Sequence, residues 1–114
     1  MKIGVIGAGR LGICFALLCE QAGYDVLVSD VREDYVKNLR NKFISTNEPE
    51  VSKLLSTSPR LSATNSNSKV IRDCDIIYTL VATPSKRDGS YDVSAVWDVV
   101  QDMKKVKKIE GKAF

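Results

Sequence analysis

The sequence predicts an α/β domain on a doubly wound parallel sheet, and three observations carry that prediction. Short apolar runs alternate with stretches whose apolar residues recur at three- and four-residue steps. A glycine-rich turn, Gly7-Ala8-Gly9-Arg10-Leu11-Gly12, joins the first run to the first helical stretch. An acid, Asp30, closes the second run. Strands alternating with helices imply right-handed crossovers, and therefore parallel pairing.

The elements follow in order. Residues 2–6 read as the first strand, and residues 10–21 as the first helix, ended by Gly23. Leu11, Cys14, Phe15, Leu18, Cys19 and Ala22 fall on one side of that helix and are expected to face the sheet. Residues 25–29 form the second strand. A second helix over residues 33–42 carries Glu33 and Asp34 in its first turn, with Val36, Leu39 and Phe43 on one side. After the polar Asn47-Glu48-Pro49, a short helix is expected around residues 51–55. Residues 60–63 suit a short strand, and residues 68–72 a helical turn. Residues 76–82 are apolar almost throughout, as expected of a strand buried on both faces. Past Pro84 comes a charged, turn-rich loop. Asp92 then caps a helix reaching about Lys107, whose stripe of Val93, Val96, Trp97, Val100, Met103 and Val106 reads as sheet-facing core.

The first thirty residues also point to a ligand. Strand, G-x-G-x-x-G turn, helix, strand and acid form the dinucleotide-binding fingerprint of a Rossmann-type fold in its required setting. Asp30 lies eighteen residues beyond Gly12, close to the ~20-residue spacing of the ribose-binding acid. Gly7 allows the tight turn, Gly9 keeps side-chain bulk away from a pyrophosphate, and Gly12 lets the helix approach the sheet. The helix start offers N–H groups and a positive dipole end to phosphates. Asp30 can accept hydrogen bonds from ribose hydroxyls, and its charge would repel a 2′-phosphate, so NAD is expected over NADP. The other source of such a turn is an α/β protein that binds no dinucleotide. A signal peptide is not expected, because Arg10 and the glycines interrupt the apolar stretch after Lys2.

Composition narrows the class further. The 114 residues suit one small domain, with 44% hydrophobic residues to build a core. No apolar run approaches the length of a membrane-spanning helix, and no membrane association is expected. Cys14, Cys19 and Cys74 are an odd count, which suits reduced thiols in a cytoplasmic protein. The chain has no histidine, so the commonest general base is absent and a metal site is not expected. The net charge of +3 gathers partly in Lys104, Lys105, Lys107, Lys108 and Lys112. No aromatic residues are interleaved to stack bases, so this run reads as a solvated helix end rather than a nucleic-acid contact.

Three stretches together resemble the N-terminal NAD-binding domain of the UDP-glucose/GDP-mannose dehydrogenase family. They are residues 2–12 with Gly23-Tyr24-Asp25-Val26 and Asp30, then residues 47–55, then residues 74–84 continuing through Asp88-Gly89-Ser90-Tyr91-Asp92-Val93-Ser94. The second is similar to the family's Glu-Pro-Gly-Leu segment, and the third to its Val-x-Thr-Pro strand end, Asp-Gly turn and Asp-Leu-Ser helix start. The resemblance implies oxidation of the C6 alcohol of a UDP- or GDP-linked hexose to a carboxylate with two NAD⁺. It places cofactor contacts on Gly7, Ala8, Gly9, Arg10, Leu11, Gly12, Asp30, Val81, Ala82 and Thr83. Thr83 would close a parallel strand at the edge where ligands bind, with a hydroxyl that donates or accepts; the alternative is a threonine placed only by the turn before Pro84.

Departures from the family pattern qualify these expectations. The family often has a basic residue five positions after the ribose acid, where this chain has Tyr35, with Arg32 nearby. Arg10 replaces a more frequent tyrosine, and its guanidinium either reaches the pyrophosphate or points to solvent. Glu50 and Val51 replace the glycine and leucine after Glu-Pro. Gly111-Lys112-Ala113-Phe114 resembles a helix stop and the first residues of another strand, so the domain is expected to be truncated before its second half is complete. The family's sugar-binding domain, catalytic cysteine and helical dimer core would lie beyond Phe114. None of Cys14, Cys19 or Cys74 matches the catalytic motif. The chain alone is therefore expected to be inactive, with a homodimer formed through missing regions. Competing readings are a 3-hydroxyacyl-CoA or 6-phosphogluconate type dehydrogenase and a non-catalytic nucleotide-binding module.

Overall fold

The computed structural model describes residues 1–46, 48–106 and 111–114. Its strands are β1 (Lys2–Ile6), β2 (Asp25–Ser29), β3 (Leu61–Thr64) and β4 (Ile76–Thr79). The helices are α1 (Arg10–Gln21), α2 (Glu33–Arg40), α3 (Pro49–Ser56), α4 (Asn67–Asp73) and α5 (Ser94–Lys105). All strand pairs are parallel, in the order β3-β2-β1-β4. The order reverses at β1, which leaves a crevice beyond its carboxyl end, where open α/β sheets bind ligands. Among the described residues, no helix is long and apolar enough to cross a membrane.

Two apolar cores lie on opposite faces of the sheet. Side chains from α1, α2 and α3 pack with Ile3, Val5, Val26 and Val28 on one face. Val70, Ile71, Cys74 and Val99 pack with Ile6, Leu27 and Ile77 on the other. The alternation of successive strand residues between faces explains the division of Val5 from Ile6 and of Val26 from Leu27. Burying each such side chain contributes about 1.5–3 kcal/mol before the entropy of ordering is counted.

The first helix matches its expected span, but its expected face is corrected. Leu11 and Leu18 are exposed, whereas Gly12, Ile13, Ala16, Leu17 and Glu20 are buried. The glycine turn sets this rotation. A Cβ on Gly12 would stand 1.9 Å from the Gly7 carbonyl oxygen and 3.7 Å from a Val5 methyl, so residue 12 faces the sheet and residue 16 follows one turn later. Cys14, Phe15 and Cys19 flank the core, with the Phe15 ring edge-on to Tyr78 at 4.6 Å. Phe43 is likewise exposed, because α2 ends at Arg40 and Lys42 adopts φ +59°. The Lys42 ammonium donates to the carbonyls of Ser58 and Leu61, holding that turn against the segment before β3.

The second half brings two further corrections. β4 is not buried on both faces over residues 76–82: regular pairing ends at Thr79, and Tyr78 and Thr79 are exposed. Its inner flank pairs with β1, while its outer flank carries, among the described residues, a single parallel bridge, Ile76 to Ala113. That bridge agrees with the expectation that the last residues begin another strand. At α5, the N-cap Val93 and Trp97 within the helix are exposed, and Val99 is the buried residue. The helix turns Val99, Met103 and Val106 toward α4 and the sheet, which leaves the Trp97 side facing outward. Asp92 does not occupy the cap position itself; its Oδ1 accepts from the Ser94 N–H and hydroxyl, one residue outside the N-cap Val93. Of the lysine run, Lys107 and Lys108 lie outside the described residues, as does Asn47. Lys112 donates to the Arg72 and Cys74 carbonyls at the end of α4, where a cation meets the negative dipole pole.

Candidate dinucleotide site

The crevice beyond β1 is a groove of about 530 Å³. One wall is the glycine turn with the start of α1, the second is Asp30 to Arg32 after β2, and the third combines the end of β4 with Ala95, Asp98 and Val99 of α5. Of the site residues expected from sequence, Gly7, Gly9, Arg10, Leu11, Gly12, Asp30, Val81 and Ala82 line it. Ala8 is fully buried beneath the turn, where only its backbone serves. Thr83 is exposed and lies one residue past the lining. Arg32, Val31, Asn67 and Asp98 also line the groove. Neither Asn67 nor Asp98 is marked by a motif in the sequence. Asn67 begins α4, one residue before the helical turn expected over residues 68–72. Its side chain accepts from the Ser29 hydroxyl at 2.7 Å and donates to Asp102 at 3.2 Å, tying β2 to α5.

The three motif glycines serve different ends. Gly7 has φ +98°, and a Cβ there would meet the Leu80 carbonyl at 2.5 Å, so both backbone and space require glycine. Gly12 is required by the helix-to-turn contact described above. Gly9 is different. It has φ −68° and ψ −167°, which any residue adopts, and a Cβ there would meet nothing within 4 Å. The protein's own packing does not demand glycine at position 9. A side chain would instead project into open space at the groove. Gly9 is the N-cap of α1 and supplies no side-chain cap, and its carbonyl accepts the first helical bond from Ile13 at 2.9 Å. The N–H groups of the first turn therefore remain available to an anion. A bare glycine floor before uncapped N–H donors fits a pyrophosphate.

Asp30 is the most constrained charge in the groove, with 9% of its side chain exposed. Its Oδ1 accepts from the Arg32 backbone N–H at 3.0 Å and the Arg32 Nε at 2.8 Å. Its Oδ2 accepts from the Ala8 N–H at 3.2 Å and the Arg32 Nη2 at 3.0 Å. Four bonds occupy the roughly four lone-pair positions of a carboxylate. Burial pushes the Asp30 carboxyl up, but the Arg32 fork, the Arg32 backbone and charge, and the Ala8 N–H outweigh it, so it titrates below the ordinary aspartate value. The Arg32 guanidinium, held up by Asp30 in turn, lies 4.1 Å over the Tyr35 ring. Tyr35 itself donates its hydroxyl to the Ala8 carbonyl, and burial raises its pKa above the ordinary phenol value. Asp30, Arg32 and Tyr35 thus brace the underside of the glycine turn.

Arg10 borders both the groove and a neighbouring hollow. Its Nε donates to Glu48 Oε1 at 2.9 Å, and this ion pair, exposed on both sides, bridges the start of α1 to the start of α3. Beneath it lies a second hollow of about 460 Å³ lined by Gly9, Arg10, Arg32, Tyr35 and Thr46 among others.

The parallel sheet, the reversal at β1 and the glycine-floored groove define a dinucleotide-binding domain of the Rossmann class. The match to known proteins is more specific. The chain matches the UDP-glucose/GDP-mannose dehydrogenase family, NAD binding domain, over residues 1–112, and it belongs to that family. That match takes in the segments around Pro49 and Thr83 and so decides among the competing dehydrogenase families. The UDP-glucose 6-dehydrogenase TuaD of Bacillus subtilis is 34% identical over 98 residues, which are 83% of this chain and 21% of that protein. The crystal structure of a ternary complex of GDP-mannose dehydrogenase from Pseudomonas aeruginosa superposes with a TM-score of 0.85 at 27% identity, covering 90% of this chain and 24% of the other. A UDP-glucose dehydrogenase from Pyrobaculum islandicum gives a TM-score of 0.83 at 28% identity, with the same coverage. The chain thus spans about a quarter of the length of the relatives it matches.

Proposed function

We propose that this chain is the cofactor-holding portion of a nucleotide-sugar dehydrogenase that oxidises the C6 alcohol of a UDP- or GDP-hexose to a carboxylate with two NAD⁺. The observation that carries the reading is the groove at Gly9, an open floor that the protein's own packing leaves free, beside the uncapped start of α1. Family membership over residues 1–112 and relatives named as UDP-glucose and GDP-mannose dehydrogenases support the substrate class. The cofactor supplies the oxidant for each of the two steps. This chain's residues bind and orient it. The N–H groups from Gly9 to Gly12 take the pyrophosphate, with Ala8 holding the turn from below. Asp30 and Arg32 take the adenosine ribose, and Val81, Ala82 and Thr83 border the crevice beyond β4.

On this reading the chain alone does not turn over substrate. Its three cysteines serve packing: Cys74 is buried, with its thiol pushed up to about 11 by that burial, and burial also raises Cys19. The nucleotide sugar, the catalytic thiol and a homodimer interface belong to other parts of a cytoplasmic enzyme. Steady-state oxidation of UDP-glucose and GDP-mannose by the full-length protein tests the proposal. NAD⁺ reduction with either sugar supports it, and absence of reduction with both, in protein that binds NAD⁺, refutes the substrate class.

A further inference from the structure

The ion pair between Arg10 and Glu48 is a contact that the glycine motif does not explain. Arg10 is the first residue of α1, and the first turn of that helix carries no acid. A cation there meets the positive pole of the helix dipole and the uncapped N–H groups, which is unfavourable unless an anion is close. In this structure the anion is the Glu48 carboxylate, brought across from the start of α3. Glu48 lines the neighbouring hollow and not the groove. It is the N-cap residue of α3, yet its side chain makes no cap bond; its Oε1 takes both Nε and Nη2 of Arg10 instead.

Three features make this contact easy to exchange. The two side chains are 86% and 41% exposed, and an exposed ion pair contributes little. Both bonds fall on a single oxygen, without the two-oxygen fork that strengthens arginine–carboxylate pairs. A released Glu48 carboxylate stays beside the start of α3, where the helix dipole favours an anion. Arg10 also lines the groove, so a pyrophosphate on the Gly9 floor offers its guanidinium a second, doubly charged partner.

We propose that Glu48 is a displaceable counter-ion for the start of α1, a built-in competitor from which the pyrophosphate takes Arg10 when a dinucleotide enters. The inference rests on the proposal that the groove holds NAD⁺. It gives a residue outside the groove control over cofactor affinity, because each binding event breaks the ion pair between α1 and α3.

The test is a double-mutant cycle, read by calorimetric titration of NAD⁺ into the full-length protein, Glu48→Gln, Arg10→Gln and the double variant, with melting curves to confirm folding. Glu48→Gln should tighten NAD⁺ about two- to fivefold, the range set by an exposed pair, because Arg10 is then free for the pyrophosphate. Arg10→Gln should weaken NAD⁺ by about threefold or more, through loss of a charged donor to the pyrophosphate. With Arg10 already replaced, Glu48→Gln should change the dissociation constant by less than about 1.5-fold. Unchanged affinity in Glu48→Gln overturns the exchange. So does a tightening that persists without Arg10, since Glu48 then acts by general repulsion of the cofactor. In both cases the groove reading stands, whereas a wild type that does not bind NAD⁺ ends both.

Discussion

Replacing each of two motif glycines with alanine separates packing from ligand binding. At Gly12 the added Cβ would stand 1.9 Å from the Gly7 carbonyl oxygen, against roughly 3.4 Å for ordinary contact, and that oxygen is backbone. Helix and turn must move apart, an overpacking that typically costs about 1–3 kcal/mol or more, offset by about 1 kcal/mol of helix propensity. At Gly9 the Cβ meets nothing within 4 Å, and the backbone angles suit alanine. Gly9→Ala should therefore change stability by no more than about 1 kcal/mol, the gain of about 0.4–1 kcal/mol through the unfolded chain opposing a loss of about the same size because alanine is a poorer N-cap than glycine. In a domain of this size that keeps Tm within a few degrees of wild type. The same methyl would intrude on a pyrophosphate against the floor of the groove and should weaken NAD⁺ at least tenfold, about 1.4 kcal/mol. Differential scanning fluorimetry and NAD⁺ titration on both variants make the comparison. A Gly9→Ala protein that binds NAD⁺ as wild type does would refute the role given to the bare floor. One that melts well below wild type would refute the packing argument.

Other outcomes follow from the same geometry. Because Asp30 titrates below the ordinary aspartate value in the folded chain, its contribution to stability is present above about pH 4 and lost as pH falls through the depressed value; Asp30→Asn should flatten that acid loss in a circular-dichroism pH titration. Leu39→Ala, in the core beneath α2, should cost about 2–5 kcal/mol in urea unfolding. Trp97→Ala, on the outward side of α5, should change the stability of this chain by less than about 0.5 kcal/mol. In timed alkylation at pH 8 read by mass spectrometry, Cys74 should react last, after the half-buried Cys14 and Cys19.

Much of the architecture is legible in the residues, because strand and helix periods differ and the glycine motif is local. The spans of β1, α1 and β2 follow directly. What misleads is hydrophobicity read without a reference direction. In α1 the large apolar residues Leu11 and Leu18 suggest a face that the structure turns outward. The reference was present all along: a glycine that must touch the turn fixes position 12 toward the sheet, and Ala16 and Glu20 follow by helical geometry. The outward face of α5 and the exposure of β4 have another cause. An apolar run signals burial without saying which element covers it, and among the described residues β4 has regular pairing on one flank only. The site divides similarly. Glycine turn and acid are readable by spacing, whereas the saturation of Asp30 depends on the rotamer of Arg32, which no periodicity encodes. Asn67 and Asp98 join the groove only through tertiary packing.

A crystal structure of the full-length protein with NAD⁺ would test the central claim most directly. The account predicts the pyrophosphate within hydrogen-bond distance of N–H groups between Gly9 and Gly12, and the adenosine ribose in contact with Asp30 or Arg32. A dinucleotide bound elsewhere, or one whose ribose touches neither residue, would contradict it.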